Sequence, residues 1–114
     1  EEFTEIDPGR LTVLAAGLRI GERAGLDPQV LLPLLADTGA RSFQMDVRGP
    51  WIASGDFAPR FALELALKDV RLGCEMAAGW ECSSPIFEAA LSLFRQADAA
   101  GFGAEDCAAV YNHL

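Results

Sequence analysis

Three times along this chain a side chain able to cap a helix is followed at once by proline: Asp7-Pro8, Asp27-Pro28 and Ser84-Pro85. Each pair supplies an oxygen for the free N–H groups of a helix N-terminus and a φ already set for the first helical position. The chain is thereby punctuated as a series of helix starts. Glycines stand where those helices should stop, at Gly25, Gly39, Gly79 and Gly101, as left-handed C-caps require. Starts and stops together predict helices over 8–24, 28–37, 42–54 (broken at Gly49-Pro50), 59–78, 85–100 and 104–112, with 1–7 an irregular lead into a single helical domain over 1–114.

No segment alternates apolar and polar residues with β-branched enrichment, and Ala and Leu dominate between the stops, so no strand is expected. The fold class is all-α: a compact bundle of about six helices around a central buried helix. Stripes at helical spacing (Leu11, Leu14, Ala15 and Leu18; Leu31, Leu34 and Leu35) give the outer helices a burying face and leave Arg10, Arg19, Glu22 and Arg23 for water. From Phe61 to Ala78 apolar residues fall on nearly every face, the pattern of a helix enclosed by neighbours. That segment is the expected centre.

Into its middle the sequence places Lys68, the one lysine among 9 basic residues. A lysine in an enclosed helix needs a partner or a route to water along its stem. Two readings follow: Lys68 snorkels out or pairs with Glu64 one turn earlier, or its ammonium is directed into a cleft toward an oxygen of a ligand.

The 9 basic residues face 17 acidic ones, a formal charge of −8, which disfavours nucleic acid as a partner because neutralising phosphates needs a basic surface. No apolar run approaches the roughly 20 residues of a membrane span, so no membrane partner is expected. Glu1-Glu2-Phe3-Thr4-Glu5-Ile6 lacks the regions of a signal peptide, and the expected location is the cytoplasm. Cys74, Cys82 and Cys107 lack the paired short spacings of a zinc site or disulfide framework and read as buried thiols. His113, the one histidine, stands beside the C-terminus, so neither a His-based triad nor a metal site is expected. The acidic residues are dispersed on outer faces, which weighs against a cofactor-free enzyme built on carboxylates.

The run Gly55-Asp56-Phe57-Ala58-Pro59-Arg60-Phe61-Ala62-Leu63-Glu64-Leu65-Ala66-Leu67-Lys68-Asp69-Val70-Arg71-Leu72 resembles the F-x-x-x-F … K-D-L-x-L-A region of the 3-hydroxyisobutyrate dehydrogenase-like, or β-hydroxyacid dehydrogenase, family. Around it stand Glu22-Arg23-Ala24-Gly25-Leu26-Asp27, Gly39-Ala40-Arg41-Ser42 and Arg48-Gly49-Pro50 in the family's order. Residues 97–110, with Gly101, Gly103, Asp106 and Val110, are similar to its closing A…G-x-G-x-x-D-x-x-A-V. The likeness covers roughly residues 11–112.

The resemblance implies the family's all-helical C-terminal domain, with a fold like the C-terminal domain of 6-phosphogluconate dehydrogenase. Its usual companion is a Rossmann domain holding NAD or NADP, whose Gly-rich fingerprint is not in this sequence. By the same resemblance Lys68 reaches the cofactor near its nicotinamide end, Phe61 helps wall the cleft, and Asp69 orients structure. Ser42 is either a helix N-cap or a substrate contact. The family's catalytic lysine, counted back without gaps, falls just before Glu1, and its paired asparagines fall near Phe3 and Thr4, neither of which is Asn. Asp7-Pro8 reads instead as a fresh helix start, so no catalytic residue is assigned to this chain.

Two functions are therefore expected to compete. One is the substrate and dimerisation domain of an NAD(P)-dependent dehydrogenase of small 3-hydroxy acids, incomplete without a separate Rossmann domain. The other is a non-catalytic helical module for oligomerisation or partner binding. Both imply a homo-oligomer, since a face that packs on a Rossmann domain is apolar and needs cover.

Overall fold

The computed structural model of the chain describes residues 7–114. Six α-helices follow one another: α1 (Pro8–Arg23), α2 (Pro28–Leu35), α3 (Phe43–Ser54), α4 (Leu63–Gly79), α5 (Pro85–Ala97) and α6 (Val110–His113). A π-helical turn at Asp98–Phe102 and a 3-10 turn at Cys107–Ala109 lie between α5 and α6. Among the described residues no strand forms, only an isolated antiparallel bridge between Ala62 and Asp106. The bundle is all-α, as the sequence predicts, and among the described residues no helix is long and apolar enough to cross a membrane.

All three cap-proline pairs open helices. Asp7 Oδ1 accepts from Arg10 N at 3.0 Å, Asp27 Oδ1 from Gln29 N at 2.9 Å and Ser84 Oγ from Phe87 N at 3.3 Å. The stops are more varied. Gly25 and Gly101 take left-handed φ values of 94° and 102°, but Gly39 and Gly79 do not. Gly79 is instead the last residue of α4, and Glu81 takes the positive φ of 53° in the turn that follows. Gly55, at φ 75°, closes α3 in the conformation that a side chain would disfavour.

The expected break at Gly49-Pro50 does not occur, and α3 runs unbroken to Ser54. Pro50 and Asp46, whose carbonyl loses its helical donor there, are both exposed, so water can satisfy what the proline removes. Gly49 is buried against α2. A Cβ there would stand 2.9 Å from Leu32 Cδ2, so this glycine serves close helix packing.

The main core joins Leu11, Leu14, Ala15 and Leu18 of α1 to Met45, Ile52, Leu63, Ala66, Phe94 and the segment Cys107–Tyr111. A smaller cluster of Val70, Cys74, Ala90 and Leu91 fastens α4 to α5. Three expectations of burial are corrected. The α4 helix is not enclosed on every face: it buries Leu63, Ala66, Val70 and Cys74, one strip of a helix, and leaves Leu65, Leu72 and Met76 exposed. Leu34, assigned to the burying stripe of α2, is exposed, and that helix has no fully buried residue. Arg19, assigned to water, is largely covered. Its guanidinium stacks 3.9 Å from the Tyr111 ring centroid, donates to Tyr111 O at 2.9 Å and pairs with Glu22.

Candidate functional site

The α4 helix begins later than the expected residue 59, because 57–62 is a non-helical lead, bent at Arg60 and Phe61, tied to the segment before α6. Its N-cap, Ala62, offers no side-chain acceptor. The free N–H groups of the first turn are met from far along the chain: Leu63 N donates to Glu105 O at 2.8 Å and Glu64 N to Gly103 O at 2.9 Å. Two more backbone bonds, Asp106 N to Phe57 O at 3.0 Å and Cys107 N to Phe61 O at 2.8 Å, complete the tie. Residues 98–102 turn and 107–113 coil tightly, in place of continuous helices over 85–100 and 104–112.

At the centre of that tie sits the Asp106 carboxylate, fully buried. Its Oδ1 accepts from Arg60 N at 3.1 Å and Phe61 N at 3.0 Å, and its Oδ2 from Ala108 N at 3.0 Å and Arg48 Nε at 3.1 Å. Arg48 is itself buried in α3, and its Nη1 donates to Gln44 Oε1 at 3.3 Å. A charged pair so enclosed stands only when its remaining hydrogen-bonding sites are met, as they are here. Sequence reasoning placed the acidic residues on outer faces and missed this pair. The signal lay in the landmark runs holding Arg48 and Asp106, but nothing in their spacing pairs one with the other.

Lys68 lies in the second turn of α4, exposed, with no ion pair or hydrogen bond among the described residues; Glu64, the expected intrahelical partner, does not pair with it. Leu65, Leu72 and Met76 lie exposed along the same side of the helix, a strip about 80° wide at 100° per residue with Lys68 at its margin. Exposure fits the first reading, a lysine whose stem carries its ammonium to water, and leaves the second, an ammonium directed toward a ligand, with an open apolar surface beside it.

Phe61 is half-buried and packs against the main core, its N–H given to Asp106 and its carbonyl accepting from Cys107 N. Asp69 is exposed on α4. Ser42 caps α3, its Oγ accepting from Met45 N at 3.1 Å. It also lines a groove of about 680 Å³ between α1 and the start of α3, with Arg10, Val13, Leu14, Leu35 and Met45. Neither Lys68 nor Phe61 lines that groove, so within this chain Ser42 and Lys68 are not brought to one cavity.

Cys74 and Cys107 are buried, as expected, whereas Cys82 is exposed in the turn between α4 and α5. Burial pushes the Cys107 thiol up to about 12, against the opposing pull of the Arg48 charge. Cys74 is raised by burial and by the nearby Glu88. Neither is an activated nucleophile. His113 Nε2 lies 3.2 Å from Gln96 Oε1, and among the described residues no three His, Cys, Asp or Glu side chains gather as a metal site would need.

A dinucleotide asks for two things: a phosphate cradle of backbone N–H groups at a strand–turn–helix junction, and donors for its polar oxygens. The described residues have no such junction. They do offer the second in the Lys68 ammonium, beside apolar surface able to lie against a ring.

Residues 9–114 match a protein family described as NAD-binding of NADP-dependent 3-hydroxyisobutyrate dehydrogenase. A cytokine-like nuclear factor N-PAC of Aedes aegypti is 36% identical over 101 residues, which are 89% of this chain and 18% of that protein. An L-threonate dehydrogenase of Cupriavidus necator is 30% identical over 100 residues, 88% of this chain and 34% of the relative. The crystal structure of a 3-hydroxyisobutyrate dehydrogenase from Salmonella typhimurium superposes with a TM-score of 0.90 at 27% identity, over 94% of this chain and 38% of the other. The chain thus spans 18% to 38% of the length of these relatives.

Proposed function

Because the chain belongs to the 3-hydroxyisobutyrate dehydrogenase-like family of NAD(P)-dependent β-hydroxyacid dehydrogenases, we propose that it is the helical substrate and dimerisation domain of such an enzyme, incomplete alone and working with a Rossmann domain. The observation that carries this reading is the chain's one lysine, exposed and without a partner among the described residues, beside the open strip of Leu65, Leu72 and Met76. An apolar helix face interrupted by one long cationic arm suits a cleft wall.

In this role the Lys68 ammonium donates hydrogen bonds to an oxygen of the bound cofactor near its nicotinamide end. NAD or NADP, when bound, supplies the hydride chemistry. Phe61 supports the wall from behind, through its packing on the core, and Ser42 sets the start of α3 at the groove. The proton of the substrate hydroxyl is assigned to no residue of this chain. A small 3-hydroxy acid or its semialdehyde is the substrate class, and the cytoplasm is the location this reading carries with it. A second reading, a non-catalytic helical module, draws on the 36% identity to a protein named as a nuclear factor and not as a dehydrogenase.

A graft tests the first reading. The corresponding helical domain of the Cupriavidus necator L-threonate dehydrogenase is replaced by residues 9–114, the host keeping its own preceding residues. The expected result is cofactor-dependent oxidation by the graft, with Lys68→Ala raising the cofactor KM about tenfold, the loss of one charge-assisted contact of ~1.4 kcal/mol. A folded graft whose cofactor KM is the same with alanine at 68 overturns the reading.

A further inference from the structure

We infer that Asp106, held by Arg48, is a positioning residue for Lys68: it fixes the segment that takes the place of an N-cap on α4 and so sets where the ammonium stands. The inference rests on the reading of Lys68 as a cofactor contact, but its geometry is independent of that reading.

A helix start without a capping side chain frays, because its first N–H groups have no partner of their own. The α4 helix begins at such a start, with Ala62 at the cap. Its first two N–H groups are met only because Glu105 and Gly103 bring their carbonyls to 2.8 and 2.9 Å. Asp106 holds that loop against the lead into α4 with both oxygens: Oδ1 on the Arg60 and Phe61 amides before the helix, Oδ2 on the Ala108 amide after the loop. The Arg48 guanidinium then ties the carboxylate to α3. Lys68 stands five residues beyond Leu63, little more than one helical turn from the anchored end. Downstream, α4 is fixed to α5 through Val70 and Cys74, which lie beyond Lys68. The first turn keeps the core contacts of Leu63 and Ala66 when the tie is lost, so loosening it does not free the end but shifts the lysine, which stands between that turn and the part of the helix held on α5.

The test has two arms. In the chain itself, Asp106→Asn keeps the volume but puts an NH2 group where an acceptor stood. Amide hydrogen exchange at Leu63 and Glu64 is expected to quicken tenfold or more, with Leu14 and Leu18 in the core of α1 unchanged within twofold. In the grafted dehydrogenase, Asp106→Asn is expected to raise the cofactor KM while kcat holds, and to raise it no further when Lys68 is already alanine, the non-additivity of residues acting through one contact. Arg48→Lys, which keeps the charge and loses the fork, carries the same two measurements if Asp106→Asn does not fold.

Exchange that quickens equally in α1 and α4 overturns the inference, since Asp106 then holds the whole bundle and not this turn. KM effects of Asp106→Asn and Lys68→Ala that simply multiply overturn it too. If Lys68→Ala leaves KM unmoved, the cofactor reading fails, and the anchoring role of Asp106 is then judged by the exchange pattern alone.

Discussion

Arg48 Nε lies 3.1 Å from Asp106 Oδ2 across 58 positions of sequence, and both side chains are shut off from water. Removing one partner strands the other as a buried charge. Arg48→Ala and Asp106→Ala are each expected to cost about 3–5 kcal/mol, read from urea unfolding followed by circular dichroism. Replacing both by apolar residues should not recover the loss, because the Arg60, Phe61 and Ala108 amides would still lack their acceptor. A double variant as stable as the parent would contradict this account.

The extent to which the sequence discloses this architecture follows from how local each cause is. Asp7-Pro8, Asp27-Pro28, Ser84-Pro85 and Ser42 act within three residues of themselves, so the helix starts they govern were legible. The start of α4 was not, because the carbonyls that satisfy Leu63 and Glu64 belong to residues some forty positions later. For the same reason the sequence pattern predicts helix over 59–62, where the structure has a bent, non-helical lead. Lys68 was legible as the one lysine, and its exposure follows from a strip of apolar residues that the chain's own helices do not cover. Count of apolar residues does not distinguish a helix enclosed by its own chain from one that presents an apolar face outward.

Ser42 is where cap and substrate contact can be separated. As the acceptor for Met45 N it should make Ser42→Ala cost about 1 kcal/mol, whereas Ser42→Asp, which keeps a capping oxygen, should hold stability. In the grafted dehydrogenase a pure cap leaves the substrate KM of Ser42→Asp near that of the parent. A KM that rises sharply while stability is kept would assign Ser42 to the substrate.

The three cysteines should react very unequally. Cys82 is exposed, while Cys74 and Cys107 are buried and their thiols are held protonated by that burial. A disulfide reagent at mildly alkaline pH is expected to titrate one thiol in the folded chain and all three in denaturant, and Cys82→Ser should abolish the fast reaction. Fast labelling of Cys74 would mean that α4 and α5 separate in solution.

Large apolar side chains stand open on several faces: Trp80 is 84% exposed, Ile20 70% and Val13 67%. Scattered singly they would need no explanation, but Val13 and Ile20 share one side of α1, two turns apart. Exposed apolar residues aligned on one helix side favour association, and the chain is expected to be dimeric or larger at tens of micromolar. Light scattering that gives a clean monomer at that concentration would refute it. Val13→Asp should dissociate the assembly with little loss of helix, since Val13 lies outside the core, on an open groove wall.

Stability should fall on the alkaline side. In the unfolded chain the Cys107 thiol ionises at its ordinary value of 9.0, while in the folded chain burial holds it protonated up to about 12. Between those values the unfolded state binds fewer protons, so rising pH favours unfolding. The contribution is whole below pH 9 and is lost progressively as pH rises toward 12. Between about pH 8 and about pH 10.5 this one thiol should remove about 2 kcal/mol, at ~1.4 kcal/mol per pH unit once past its unfolded pKa. Cys74 and Tyr111, also raised by burial, act in the same direction. Urea unfolding of Cys107→Ala at the two pH values checks the assignment: the variant starts less stable but loses less between them. Equal losses in parent and variant would show that the thiol is not held protonated in the fold.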